Sequence, residues 1–61
     1  MKITLKDGSV LEYNEAKSAA DITKDISMGL YRNATCCKIN GEVKDLRTVI
    51  DTDCSLEILT F

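Results

Sequence analysis

Three cysteines, Cys36, Cys37 and Cys54, and two closely spaced acids, Asp51 and Asp53, are the side chains best suited by type to redox or metal chemistry. Neither set has the spacing that such chemistry needs. Adjacent residues on a strand point to opposite faces, so Cys36 and Cys37 make a poor chelate. No histidine and no Cys-x-x-Cys pair completes a zinc site. An odd number of cysteines in so short a chain is also a poor disulfide framework, and small apolar residues in a reducing compartment is the reading that fits. A regulatory thiol pair is the alternative. The lack of histidine removes the Ser-His and Cys-His arrangements of nucleophilic catalysis. Asp51 and Asp53 lack the further oxygen ligands of a cation site and read as a solvated turn. Gly8, Gly29 and Gly41 do not build a phosphate loop; each is explained by a turn or a helix end.

What remains for function is surface. Eight basic and ten acidic residues give a formal charge of −2, and no three basic residues follow one another. Strong autonomous binding of nucleic acid requires clustered cations that neutralise several phosphates at once, which this composition does not supply. A local patch stays open, and its position depends on the elements.

Met1 to Lys6 alternates apolar and polar with period two, a half-buried strand with Met1, Ile3 and Leu5 on one face. Asp7-Gly8 signals a hairpin into a second strand, Ser9 to Asn14. A three-residue loop, Lys6-Asp7-Gly8, with Gly8 left-handed at a bulge, sets Ile3 opposite Leu11 and Met1 opposite Tyr13. That register collects the large apolar side chains on one face, so it is preferred over a two-residue loop. Asn14 to Lys17 is a polar connection.

Ser18-Ala19-Ala20-Asp21 has the form of a helix start, with the Ser18 hydroxyl accepting from the Asp21 amide. Ala19, Ile22 and Ile26 form an apolar stripe, and Gly29 is the expected stop, giving a helix over Ala19 to Met28. Leu30 follows as an apolar plug, and Tyr31 as an extension by a turn. A third strand over Thr35 to Asn40 places Thr35, Cys37 and Ile39 inward and Cys36 and Lys38 outward. Asn40-Gly41 turns it into a short edge strand, Glu42 to Lys44. Leu46, Val49 and Ile50 are expected in a connection with one helical turn. The last strand, Ser55 to Thr60, faces Leu56 and Ile58 inward and should lie parallel to the first at the centre of the sheet.

The result is an α+β plan, a mixed five-stranded sheet packed on one helix, which is the ββαββ layout of the ubiquitin-like β-grasp. At 61 residues with 44 % apolar content, one domain spanning residues 1–61 with a small core is what the chain can build. An enzyme active site with its own substrate cavity is not expected. No apolar run reaches the ~18 residues of a membrane span, and no signal peptide is expected, because Met1-Lys2 leads into an alternating segment rather than a continuous apolar stretch.

Four segments resemble the TGS domain. They are Ile3-Thr4-Leu5-Lys6-Asp7-Gly8-Ser9, the helix start Ser18-Ala19-Ala20-Asp21-Ile22, the hairpin Lys38 to Leu46, and the closing Leu56 to Thr60. They are collinear and cover essentially the whole chain. Lys6 stands where the family often has proline, and Cys36-Cys37 where small residues are usual. The resemblance implies one of three kinds of parent: threonyl-tRNA synthetases, Obg-type GTPases or stringent-response synthetase/hydrolases. Met1 leading directly into the first strand favours the synthetases, in which the module comes first. The implied parent is a cytoplasmic threonine–tRNA ligase that uses ATP and zinc. The fragment itself is expected to hold no catalytic residue, metal or cofactor. The alternative is a regulatory or ligand-binding module of a GTPase or stringent-response enzyme. A sulfur-carrier or modifier role fits poorly, because the chain closes Leu59-Thr60-Phe61 rather than Gly-Gly.

On this plan one sheet face is uncovered and shows Lys2, Thr4, Lys6, Lys38, Glu57, Leu59 and Phe61, with Cys36 beside Lys38. It is the candidate interaction surface, for the remaining domains of the synthetase or, weakly, for tRNA or mRNA, and not for a membrane. The competing reading is an ordinary solvated sheet face.

Overall fold

The computed structural model describes residues 1–60, and the expectation for Phe61 lies outside the described residues. The chain opens with the hairpin of β1 (Lys2–Leu5) and β2 (Val10–Glu12). Ile3 faces Leu11, and the Tyr13 amide donates to the Met1 carbonyl at 3.0 Å, which extends the register to the expected Met1 end. The Leu5 amide donates to the Ser9 carbonyl, so Lys6-Asp7-Gly8 is the loop, and Gly8 has φ of +93°. An L side chain there would be strained, which is why glycine ends this turn.

β3 (Lys17–Ser18) leads into α1 (Ala19–Ile26). The Ser18 hydroxyl accepts from the Asp21 amide at 3.1 Å. The two preceding free amides of the first turn are satisfied from far along the chain: Ala19 donates to the Thr48 carbonyl and Ala20 to that of Leu46. α1 ends two residues earlier than expected, and Gly29 does not stop it. Ser27 does, with extended backbone (φ −169°, ψ 131°). Its amide closes α1 on the Thr23 carbonyl at 3.0 Å, while its hydroxyl accepts from Leu30 and caps α2 (Met28–Asn33). Serine competes well for an N-cap position, so the chain restarts a helix here and Gly29 lies inside its first turn.

β4 (Ala34–Ile39) and β5 (Glu42–Lys44) form the second hairpin. Asn40 and Gly41 both have positive φ, 52° and 86°, as a two-residue type I′ turn requires. A bulge between Ala34 and Cys36 leaves Thr35 exposed rather than inward, its hydroxyl on the Leu59 carbonyl. The expected helical turn after Leu46 is instead a tight turn, Thr48 amide to Asp45 carbonyl, followed by β6 (Val49–Ile50). β6 pairs antiparallel with β3, so part of the expected polar connection is a short second sheet.

β7 (Cys54–Thr60) lies between β1, to which it is parallel, and β4, to which it is antiparallel, giving the order β2-β1-β7-β4-β5. This five-stranded mixed sheet with helices on one face is a β-grasp. The core between the layers is Ile3, Ala19, Ile22, Cys37, Ile50 and Leu56, with Leu5, Leu11, Tyr13, Ile26, Ile39 and Ile58 packed around it. Burying one such aliphatic side chain contributes about 1.5–3 kcal/mol. Among the described residues Thr23 is the buried polar one, and its hydroxyl donates to the Ala19 carbonyl one turn back at 2.7 Å.

Candidate functional site

Alternation along the strands divides the sheet into a helix-covered face and an open one. In β1, Ile3 and Leu5 turn towards the helices, so Lys2 and Thr4 turn away. In β7, Leu56 and Ile58 face the core, so Ser55, Glu57 and Leu59 are open. The pairings then fix neighbours across the open face: Thr4 beside Ser55, Lys38 beside Glu57, Cys36 beside Leu59.

The Lys6 ammonium lies 3.5 Å from the Glu57 carboxylate. Glu57 thus stands between two lysines, ion-paired to Lys6 on one side and strand partner of Lys38 on the other. One carboxylate for two ammonium groups leaves this row positive. Thr4, Lys6, Lys38, Gly41, Ser55 and Glu57 border a shallow depression of about 190 Å³. The Lys6 side chain is 78 % exposed, so the ion pair contributes at most about 1 kcal/mol and stays free to exchange partners.

Four of the expected surface residues, Thr4, Lys6, Lys38 and Glu57, are therefore brought together. Lys2 and Leu59 lie at opposite ends of the central strands: Lys2 opposite Glu12 with its amide on the Asp53 carboxylate, and Leu59 half-buried against Cys36. Asp53 has a structural role here, tying the start of β1 to the approach of β7. Sequence reasoning overlooked Val10 and Val43, which expose 54 % and 61 % of their surface on the outer strands of the open face. The signal was present. The register that sets Ile3 opposite Leu11 also sets Val10 beside Thr4, and the Asn40-Gly41 turn sets Val43 beside Lys38. A second, more apolar depression of about 280 Å³ opens at the layer edge among Leu5, Ile26, Leu30, Leu56 and Ile58.

Two of the three thiols, those of Cys37 and Cys54, are placed for packing, while Cys36 stands beside Leu59 on the open face. Cys37 is fully buried in the core, and burial, then the neighbouring Cys36, Asp45 and Cys54, push its thiol upward in pKa. Cys54 is also shifted up, by burial and then by Asp53. Upward shifts reduce the thiolate that redox or nucleophilic chemistry needs. Among the described residues, no group of three or more His, Cys, Asp or Glu side chains could hold a metal ion. No helix among them is long and apolar enough to cross a membrane.

The family profile described as the TGS domain matches residues 1–60. The threonine–tRNA ligases of Clostridium acetobutylicum and Acetivibrio thermocellus are each 52 % identical over all 61 residues, and that of Clostridioides difficile is 48 % identical. In each case the chain spans about 10 % of the relative's length.

Proposed function

Because the chain belongs to the TGS-domain family, we propose that it serves as the accessory, non-catalytic module of a threonine–tRNA ligase, docking through its open sheet face on the remainder of the enzyme. The observation that carries this reading is the asymmetry of the sheet. The helix α1 packs its buried Ala19 and Ile22 on one face, and the other presents a shaped, positively biased row, Lys6-Glu57-Lys38, flanked by Thr4 and Ser55. The docking partner is an acidic surface of a neighbouring domain, whose carboxylates take over the Lys6 ammonium from Glu57. ATP and zinc, on this reading, are bound by other parts of the ligase, in the cytoplasm.

The test is calorimetric titration of the chain into the Clostridium acetobutylicum ligase deprived of its matching 61 residues. The Lys6→Glu, Lys38→Glu double variant is expected to bind at least about tenfold more weakly, ~1.4 kcal/mol. Equal affinity of the two would remove the open face from the reading. Titration with tRNA at low salt separates the nucleic-acid version, which would show strongly salt-dependent binding.

A further inference from the structure

The outermost strand on the Lys38 side, β5, reads Glu42-Val43-Lys44, and all three residues are exposed. Its hydrogen-bonding direction follows from the turn before it. In a two-residue hairpin, the residues flanking the turn, Ile39 and Glu42, exchange backbone bonds with each other, and the next pair does not. That next pair is Lys38 and Val43. The other side of β4 agrees, because the Asn40 amide donates to the Ser55 carbonyl in the direction of β7, and even-numbered groups of β4 therefore aim away from β5. The Val43 N–H and C=O accordingly point outward from the sheet edge.

Placed antiparallel to itself with Val43 opposite Val43, this strand is self-complementary. Glu42 then meets Lys44 of the second copy, and Lys44 meets its Glu42. The two Val43 residues exchange both backbone bonds and bring together side chains that are 61 % exposed in one chain. Within the single chain Lys44 and Glu42 are paired only loosely, at 3.8 Å. We propose that β5 is a self-association edge, across which two copies of this chain join their sheets about a twofold axis centred on Val43. Charged residues and short length are the usual protection of an edge strand against indiscriminate pairing. Here the charges reject most strands but fit an identical copy. Three residues a side bury little area, so the association is weak and concentration-dependent. The open faces of the two copies become continuous, with Val43 of each meeting at the axis and Lys38 of each one strand further in. This inference rests on the β5 edge alone and is independent of what docks on the Lys6-Glu57-Lys38 row.

The experiment is a charge swap read by sedimentation and by amide shifts of Gly41 to Asp45 between micromolar and millimolar chain. Wild type is expected to associate with shifts centred on Val43. Glu42→Lys alone and Lys44→Glu alone set like charges opposite each other and should stay monomeric. Glu42→Lys/Lys44→Glu together, and an equimolar mixture of the two single variants, should regain association. Both substitutions fall at exposed positions, and an unchanged amide spectrum at low concentration verifies the fold. A monomeric wild type at millimolar concentration, or association that both single variants retain, overturns the proposal.

Discussion

The Glu57 carboxylate lies 3.5 Å from the Lys6 ammonium while its strand partner on the opposite side is Lys38. Lys6 belongs to the loop after β1, Glu57 to the central strand and Lys38 to its antiparallel neighbour. This row exists only because the first and last strands lie side by side and parallel. A link between the two ends of the chain therefore creates the candidate surface, and what stabilises that link also holds the surface in shape.

Leu56→Ala should test the link directly. Leu56 is 2 % exposed, strand partner of both Leu5 and Ile39, and part of the core. Truncation of such a side chain costs about 2–5 kcal/mol, which approaches the whole stability expected of a domain this small. Urea denaturation should show a chain largely unfolded at 37 °C, whereas Val10→Ala, at an exposed outer strand, should shift the midpoint little.

The double use of Ser27 leads to a second expectation. Ser18→Ala removes the acceptor for the Asp21 amide and should destabilise the chain by about 1 kcal/mol. Ser27→Ala removes the acceptor for Leu30 and should chiefly loosen α2, seen as faster hydrogen exchange from Leu30 to Asn33 while α1 stays protected.

These elements also show what sequence could and could not reveal. The hairpin register, the Ser18 cap and the type I′ turn at Asn40-Gly41 are local or period-two features, and period two carries strand facing directly. The parallel central pair joins residues about fifty positions apart and was legible instead from the Ile- and Leu-rich inner faces of the first and last strands. The helix break at Ser27 was missed because Gly29 is a common stop signal, and the competing serine cap sits two residues before it. The β3–β6 ladder was missed for a different reason. Each strand is two residues long, and its partner is about thirty residues away, so no periodicity exists to read. Of the candidate surface, Thr4, Lys6, Lys38 and Glu57 were legible from alternation. The Lys6–Glu57 contact was not, because Lys6 lies in a loop.

Tyr13 should give the chain an alkaline limit. Its phenol, half-buried and bonded to the Asp25 carboxylate at 2.9 Å, is pushed up to about 12, first by burial and then by Asp25. The neutral phenol is the form that the fold favours. The group's contribution to stability is therefore complete below its ordinary pKa of ~10 and is lost as pH rises through about 12. Between those values the unfolded chain releases the proton and the folded chain keeps it, so stability falls with rising pH. Tyr13→Phe should flatten that fall in denaturation midpoints measured across this range, and should remove the late component of tyrosinate absorbance.

Thiol labelling distinguishes packing cysteines from a reactive pair. Cys37 is fully buried with a raised pKa, so a maleimide should modify it only as the chain unfolds, at a rate set by urea. Rapid labelling of Cys37 in native conditions would contradict the core placement.

Chemical-shift mapping of the chain against the Clostridium acetobutylicum ligase lacking its matching residues is the most direct measurement of the central reading, that the open sheet face is the docking surface. Shifts should concentrate at Thr4, Lys6, Lys38, Ser55 and Glu57, with the amides of Asp21, Lys24 and Asp25 on the exposed side of α1 unmoved. Shifts confined to α1 and α2, with the Lys6-Glu57-Lys38 row unmoved at saturation, would contradict it.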